Sequence, residues 1–227
     1  MNMRITSLIM PLLASLLLMP LPALAEQDPH QMIQGSIERI TARIEKEREQ
    51  IKADPAYARA VVEEEIGDMV DFKRITRLVM AEHFATASTE QKYRFLEVFR
   101  DSLMNTYSSG LTLYEGQQIR VLPAEEGDVA NGRARVKTEI ETNAGKVVPV
   151  YFSLYLDGEG NWLVENVIVN GLNMGKTFRS QFDQSMQQYA GDFEQVIANW
   201  SSQLDVNPAE EGTVQTAKGE PKPAGGA

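Results

Sequence analysis

Residues 133–169 read RARVKTEIETNAGKVVPVYFSLYLDGEGNWLVENVIV, and this segment contains three runs of β-type sequence. Apolar and polar residues alternate from Arg133 to Ile140 and again from Val148 to Leu156, which is typical of half-buried strands. The third run, Trp162 to Val169, is apolar on both faces in its second half. Because Asn, Asp and Gly residues form short turns between the runs, the segment predicts an antiparallel meander.

Helical periodicity flanks this meander on both sides. Apolar residues recur every three to four positions before and after it, and Ser88 with Gln91 forms a capping box that should open a long helix. Ile119 and Val121 add one more strand ahead of the meander. The sequence therefore predicts an α+β fold, with several helices packed on one face of a four-stranded antiparallel sheet. The predicted helices cover residues 31–52, 54–66, 72–79, 88–114, 173–188 and 193–204.

The first 25 residues have the parts of a secretory signal peptide. Arg4 gives the positive start, Leu8 to Met19 is an apolar run, and Ala23-Leu24-Ala25 is a small-x-small cleavage site. The apolar run is shorter than the roughly 20 residues that a membrane-spanning helix needs. We therefore expect cleavage after Ala25, export, and a domain over residues 26–206. The last 21 residues, 207–227, have almost no large apolar side chain and predict a disordered tail.

The composition limits the classes of function. The chain has 227 residues, no cysteine and a formal net charge of −10. Without cysteine, an exported domain has neither disulfides nor thiol chemistry. The acidic balance argues against nucleic acid as a partner and against electrostatic docking on anionic lipid.

Few residues offer enzymatic chemistry. The chain has two histidines, His30 and His83, and neither a G-x-S-x-G nor an H-E-x-x-H motif. With 32 acidic residues, some carboxylates will lie close together in any fold, so a glycosidase-type pair gains no support. We therefore predict a protein that is not an enzyme, with no catalytic and no metal-ligating residues. A hydrolase that uses His83 stays open as a lesser hypothesis.

Several strings of the sequence, taken in order, resemble one known family. They are DFKRITRLV at 71–79, the pattern TxQxxxFxxxFRxxLxxTY at 89–107, VPVYFxL at 148–154, WxV at 162–164, NGLN at 170–173 and FRSQF at 178–182. They resemble the MlaC family of periplasmic phospholipid-transport proteins, also called the toluene-tolerance auxiliary family. The resemblance extends from about Gln31 to Leu204. It departs from the family pattern at Asn166 and Asn170, where acidic residues are expected, and at Phe178, where Tyr is usual.

The resemblance implies a periplasmic phospholipid carrier. Its curved antiparallel sheet and helices would enclose an apolar cavity for the acyl chains, with the headgroup facing water. It would shuttle lipid between an outer-membrane lipoprotein–porin complex and an inner-membrane ABC transporter with an MCE-domain subunit, and so maintain outer-membrane lipid asymmetry. It would act as a monomer, with phospholipid as cargo and no cofactor. The alternative is a periplasmic adaptor with a filled core and no lipid cargo, because apolar stripes alone do not distinguish a core from a cavity.

The candidate cavity residues are the apolar faces of four elements that this resemblance brings together. They come from the segment around residue 75, the long helix, the sheet and the segment that follows the last strand. The predicted lining residues are Phe72, Ile75, Val79, Leu103, Tyr107, Val136, Val148, Val150, Phe152, Leu154, Val164, Val169, Leu172 and Met174.

Overall fold

The computed structural model describes residues 28–201. The predicted signal peptide (1–25) and tail (207–227) lie outside these residues. The α+β class is confirmed: helices precede and follow one antiparallel sheet. The helices are α1 (Pro29–Ala53), α2 (Pro55–Ile66), α3 (Phe72–Met80), α4 (Thr89–Thr112), α5 (Met174–Gln188) and α6 (Phe193–Ala198), with 3₁₀ turns at Gly67–Met69 and Ala81–Ala85.

The sheet has six strands, and the predicted number of four was wrong. The strands are β1 (Gln118–Val121), β2 (Val129–Ala130), β3 (Arg133–Glu141), β4 (Val147–Leu156), β5 (Trp162–Val169) and β6 (Leu172–Asn173). Their order is β1-β3-β4-β5-β6, and β2 pairs with β3. The two extra strands have two residues each. They arise where a tight turn folds the chain back for two residue pairs, which is too short for an alternation of apolar and polar residues to indicate a strand.

Polar side chains begin each helix. At every helix start an Asp, Ser or Asn side chain accepts a hydrogen bond from a backbone N–H of the first turn, which satisfies a donor that the helix itself leaves open. At α4 the predicted capping box is confirmed, because the Ser88 and Gln91 side chains each accept from the other residue's backbone N–H. The N-cap residues are Asp28, Asp54, Asp71, Ser88, Asn173 and Asp192.

A bulge in β5 keeps one face of the sheet apolar along its whole length. The pairing of β4 with β5 shifts register between Ser153 and Leu154, so that Leu154 pairs with Val164 but Phe152 pairs with Val167. Glu165 is the extra residue. Without this insertion the second half of β5 would present its other face, because successive side chains of a strand alternate.

The described residues form three apolar clusters. The largest joins α3, α4, α5 and α6 and contains the buried residues Phe95, Phe99 and Phe182. A second lies between the start of α1 and one end of the sheet, and a third joins α1 to α2. Val70 and Val167 pack against both the first and the second cluster. Among residues 28–201, no helix has the length and apolar character needed to cross a membrane.

Candidate functional site

A cavity of about 410 Å³ lies between the sheet and the helices. Its size falls within the roughly 300–1,000 Å³ of small-molecule pockets. Strands β4 and β5 form one wall, with Val150, Phe152 and Val167, and helices α1, α3, α4 and α5 form the others. Apolar side chains make up most of this wall, so the cavity suits an apolar ligand better than water.

Ten of the fourteen predicted lining residues lie on this wall. The helices contribute five of them and the sheet the other five, so residues up to about 100 positions apart in sequence meet around one space. These residues are Phe72, Ile75, Leu103, Tyr107, Val148, Val150, Phe152, Val164, Val169 and Met174. Their contact with a lipid stays a prediction.

The structure places the other four predicted residues away from the cavity wall. Val136 and Leu154 are on the same face of the sheet as Val150, but there α1 covers the sheet with Met32 and Ile33. Val79 is 0 % exposed inside the helical cluster, and Leu172 packs against that cluster from β6. Strand and helix periodicity identifies a buried face but not the point at which a neighbouring element fills the space above it.

Sequence reasoning missed one whole wall. Ile33, Ile37 and Ile40 of α1 line the cavity, although the first of these also packs on the sheet. Their spacing of four and three residues places them on one helical stripe, which was visible in the sequence and could have been assigned to the cavity. Two further lining residues, Met69 and Met104, add long unbranched side chains that adapt to irregular shapes.

Besides Ser36 and Tyr107, the polar residues of the wall lie between the β5 bulge and the turn that follows β5. Glu165, Asn166 and Asn170 line the cavity there, beside Gly175 at the start of α5. The Asn166 Oδ1 accepts a hydrogen bond of 2.9 Å from the Gly175 N–H, and a Cβ on that glycine would stand 2.9 Å from the same oxygen. A larger residue would displace the Asn166 amide, so glycine permits the close approach by which this hydrogen bond joins α5 to β5.

The turn between β5 and β6 has the left-handed backbone that a two-residue hairpin needs. Asn170 has φ +49° and Gly171 has φ +83°. Positive φ at both central residues characterises the type I′ turn, for which Asn-Gly is the preferred sequence. The turn places Asn170, an exposed residue, on the cavity wall and so joins the wall to the protein surface.

Tyr107 brings a hydroxyl into the largely apolar wall. The residue retains 37 % of its accessible surface, yet it lines the cavity, so this surface belongs at least in part to the cavity interior. Burial raises the pKa of its phenol, so the hydroxyl stays protonated at neutral pH and is able to donate a hydrogen bond.

An ionic network holds α3 against β5 beside the cavity. Glu165, the bulge residue, accepts from Arg74 Nε at 2.6 Å and also pairs with Arg133. Both guanidinium groups lie over the Tyr155 ring, at 4.1 and 5.8 Å from its centroid. The Tyr155 hydroxyl in turn donates to the Asp71 carboxylate that caps α3. The network thereby sets the position of the helix that carries Phe72 and Ile75.

This network predicts that Tyr155→Phe and the parent protein differ in stability, and that the difference changes in the alkaline pH range. Burial and the neighbouring Asp71 carboxylate raise the pKa of Tyr155 from its ordinary value of 10.0 to about 12. A raised pKa means that the protonated phenol stabilises the folded state below pH 10 and loses this effect as the pH rises towards 12. We therefore expect Tyr155→Phe to be less stable than the parent at pH 8, with the difference closing between pH 10 and 12.

Urea unfolding at a series of pH values measures this difference. Tyr93→Phe removes a phenol that is 60 % exposed and controls for the general effect of alkali. If the difference in free energy of unfolding between Tyr155→Phe and the parent stays constant across the alkaline range, ionisation of the Tyr155 phenol does not affect stability.

His83 serves as a connection between helical segments. Its Nε2 lies 2.7 Å from the Asp183 Oδ1 of α5, and its ring packs on Phe182 at 5.8 Å between centroids. Glu82, His83 and Asp183 are also close enough together to hold a metal ion. The Asp183 carboxylate already engages the imidazole, so the observed contacts account for this group without a ligand.

The family model described as MlaC protein matches residues 34–202, which include all of the cavity wall except Ile33. The chain belongs to the MlaC family. The resemblance read from the short sequence strings is thereby confirmed. Because the match covers most of the chain, the MlaC family pattern includes both the helices and the sheet that enclose the cavity.

Two curated relatives are similar to this MlaC-family chain over most of their length. Toluene tolerance protein ttg2D of Pseudomonas putida is 36 % identical over 194 residues, which are 85 % of this chain and 89 % of the relative. The intermembrane phospholipid transport system binding protein MlaC of Haemophilus influenzae is 26 % identical over 154 residues, which are 67 % of this chain and 72 % of the relative.

A solved structure shares the fold of this MlaC-family chain. It is the phospholipid-binding protein from Ralstonia solanacearum, determined in complex with a phospholipid at a resolution of 1.53 Å. The two superpose with a TM-score of 0.67 at 20 % sequence identity, over 76 % of this chain and 94 % of the other. The arrangement of helices on one face of an open antiparallel sheet is therefore common to both.

Proposed function

We propose that this protein is a periplasmic phospholipid carrier, and that the cavity holds the acyl chains of its cargo. The observation that supports this most directly is the apolar space of about 410 Å³ that the described side chains leave unfilled. Protein interiors are normally close-packed, and an unfilled apolar cavity of this size lowers the stability of the folded protein. A bound apolar ligand offsets this cost. Membership of the MlaC family and the phospholipid-transport role named for its Haemophilus influenzae relative agree with this role.

The energetics of lipid transfer explain why such a carrier is needed. A diacyl phospholipid has roughly 30 methylenes, and each is worth about 0.8 kcal/mol when it leaves water. Crossing water unshielded would therefore cost on the order of 20 kcal/mol. Inside the cavity the chains exchange one apolar environment for another, so loading and release are close to balance. The carrier itself needs no nucleotide or catalytic group for this exchange.

The polar end of the cavity suits the headgroup. Asn166 and Asn170 add amide groups at the end of β5, and Asn170 is exposed to solvent. Acyl chains that run from this end past Phe152 towards α1 would contact mostly apolar side chains. In this orientation the polar headgroup stays hydrated, which avoids the cost of burying a phosphate without partners.

The proposed cellular role follows from a carrier that is free in the periplasm after cleavage at Ala25. It would exchange lipid with an outer-membrane lipoprotein–porin complex and with an inner-membrane ABC transporter through its MCE-domain subunit, and so maintain the lipid asymmetry of the outer membrane. Direction would come from the membrane complexes. The alternative, an adaptor with a filled core, is disfavoured by the cavity itself.

Lipid that co-purifies with the protein tests this proposal. We expect native mass spectrometry of protein purified without detergent to show a mass increase of one phospholipid, which solvent extraction and chromatography then identify. Delipidated protein, refolded and mixed with phosphatidylglycerol vesicles, should regain the same adduct. Protein that is isolated lipid-free and takes up nothing from vesicles would contradict the carrier role.

A further inference from the structure

Helices α3 and α5 together present a cationic surface on an acidic protein. Lys73 and Arg77 are exposed on α3, and Lys176 and Arg179 are exposed on α5. Leu78, which follows Arg77 on α3, has 42 % of its surface exposed. We refer to these five residues as the α3–α5 face.

Contacts between the two helices show that these residues are neighbours. The Arg179 Nε donates to the Leu78 backbone carbonyl at 3.0 Å. Five residues further along the first segment, His83 meets Asp183 of α5 at 2.7 Å. The residue numbers of both partners rise from the first contact to the second. The chains of α3 and α5 therefore run side by side in the same direction. Lys73 and Lys176 are consequently both near the start of the pair, one on each helix.

The charges of the α3–α5 face are not neutralised within the described part of the chain. Among residues 28–201, none of its four cations forms an ion pair with a carboxylate, whereas nine other Arg and Lys residues do. Arg77 lies over the Phe84 ring at 5.5 Å, which positions the guanidinium without neutralising it. Glu82 and Asp183 are grouped with His83 at the far end of the helix pair, and the Asp71 carboxylate at the start of α3 is engaged by the Arg74 N–H and the Tyr155 hydroxyl.

The layout of the face resembles that of a protein–protein interface. An exposed leucine lies next to Arg77 and Arg179 among long cationic side chains, and interfaces typically combine exposed apolar residues with polar ones, with arginine enriched. A concentration of unpaired cations on a chain of net charge −10 would also repel a second copy of itself at this face. The chemistry therefore favours an acidic surface over the same face of a second copy.

A protein partner fits this face better than an anionic membrane does. A membrane is a broad plane of negative charge, so it would repel the acidic remainder of this chain, whose net charge is −10, as well as attract the face. An acidic patch on a protein is comparable in size to the α3–α5 face. Salt screens charges over about 10 Å, so the acidic side chains elsewhere on this chain interact only weakly with such a patch. We propose that the α3–α5 face docks onto an acidic surface patch of a protein partner.

The face lies behind the cavity wall. On their inner side the same two helices carry Phe72, Ile75, Met174 and Phe178, which line the cavity. This proposal rests on the proposed function, because a lipid carrier must dock where lipid is exchanged. A partner bound at the face would contact two of the helices that enclose the cargo.

A double charge reversal, Lys73→Glu with Lys176→Glu, tests the docking proposal. Both residues lie in the first turn of a helix, where a carboxylate is favourable towards the helix dipole, so the variant should fold. The matched control is Arg135→Glu with Lys146→Glu, which makes the same charge change at exposed, unpaired cations of the sheet and its turn. The probes are the purified MCE-domain subunit and the purified outer-membrane lipoprotein of the same organism.

We expect the α3–α5 variant to associate at least about tenfold more slowly with one or both probes, and the parent's association to slow with added salt. The control variant should stay close to the parent. Equal loss in both variants, no loss in the α3–α5 variant, or a parent that binds neither probe would overturn the proposal. So would α3–α5-dependent flotation with phosphatidylglycerol vesicles while binding to both probes is unchanged.

Lipid content separates this proposal from the proposed function. Both double variants should retain the co-purified phospholipid of the parent, because none of the four substituted side chains lines the cavity. Lipid-free protein that still docks through the face would refute the carrier role and leave the docking surface in place.

Discussion

Phe152→Asp should abolish lipid loading in a protein that still folds. Phe152 lines the cavity from the middle of β4, and its partly accessible ring is part of the wall of the empty space. A carboxylate here brings water into the cavity or must be protonated, and either change removes the advantage of an apolar environment for an acyl chain. The expected result is complete loss of the phospholipid adduct in native mass spectrometry.

The neighbouring residue gives a matched control for this prediction. Ser153→Asp introduces the same charge into the same strand, but on the opposite face, where Ser153 pairs with Arg135. This variant should keep its lipid. Circular dichroism checks that both proteins are folded. Normal loading of Phe152→Asp would refute the assignment of this residue to the lipid site.

A second, uncharged variant covers the case in which Phe152→Asp does not fold. Ile75→Trp enlarges a side chain that lines the cavity from α3 and is only partly buried. The added ring should occupy part of the cavity and reduce loading without introducing a charge. Full loading of folded Ile75→Trp would argue that the cargo lies elsewhere.

Phe95→Ala should have the largest effect on stability. Phe95 is 0 % exposed, and its ring lies 4.6 Å from that of Phe182, 5.0 Å from that of Trp200 and 5.8 Å from that of Phe99, measured between centroids. Truncation removes these contacts and leaves a space that a rigid aromatic cluster does not close. We expect the free energy of unfolding to fall by about 3–5 kcal/mol.

Urea unfolding followed by circular dichroism measures this loss. Tyr93→Ala is the control, since it removes a ring of similar size from the same helix at a position that is 60 % exposed. Its cost should stay below about 1 kcal/mol. A loss of similar size in both variants would show that the aromatic cluster does not hold the helices together.

The sequence was a good guide to the elements and to the fold class, because periodicity and capping act locally. Ser88 and Gln91 marked the start of α4, and the stripe of Met174, Phe178, Phe182 and Met186 is buried as expected. These features depend on residues three or four positions apart, so the sequence alone contains the necessary information.

The limits of the cavity depend on distant parts of the chain and were harder to predict. Val136 and Val150 lie on neighbouring strands and face the same side of the sheet, yet only Val150 lines the cavity. The difference arises because α1 places Met32 and Ile33 over one end of the sheet and not over the other. The sequences of β3 and β4 do not indicate where a helix about 100 residues earlier in the chain packs on them.

The bulge at Glu165 illustrates the same limit. The second half of β5 is apolar on both faces in the sequence, and this pattern hid the extra residue that shifts its register. Once Glu165 is inserted, Val167 and Val169 share the inward face with Val164, and all three line the cavity. The family resemblance supplied the existence of a cavity, but it did not supply this local geometry.

The aromatic cluster around Phe95 has an evolutionary consequence. Phe95, Phe99, Phe182 and Trp200 contact one another, and none of them lines the cavity. These four side chains, which hold helices together, are thus distinct from the aliphatic, methionine and other aromatic side chains of the cavity wall that would meet the cargo. Substitutions at positions such as Val150 or Ile40 can therefore reshape the cavity for a different ligand while the scaffold persists, which leaves cargo choice free to diverge among descendants of one ancestral fold.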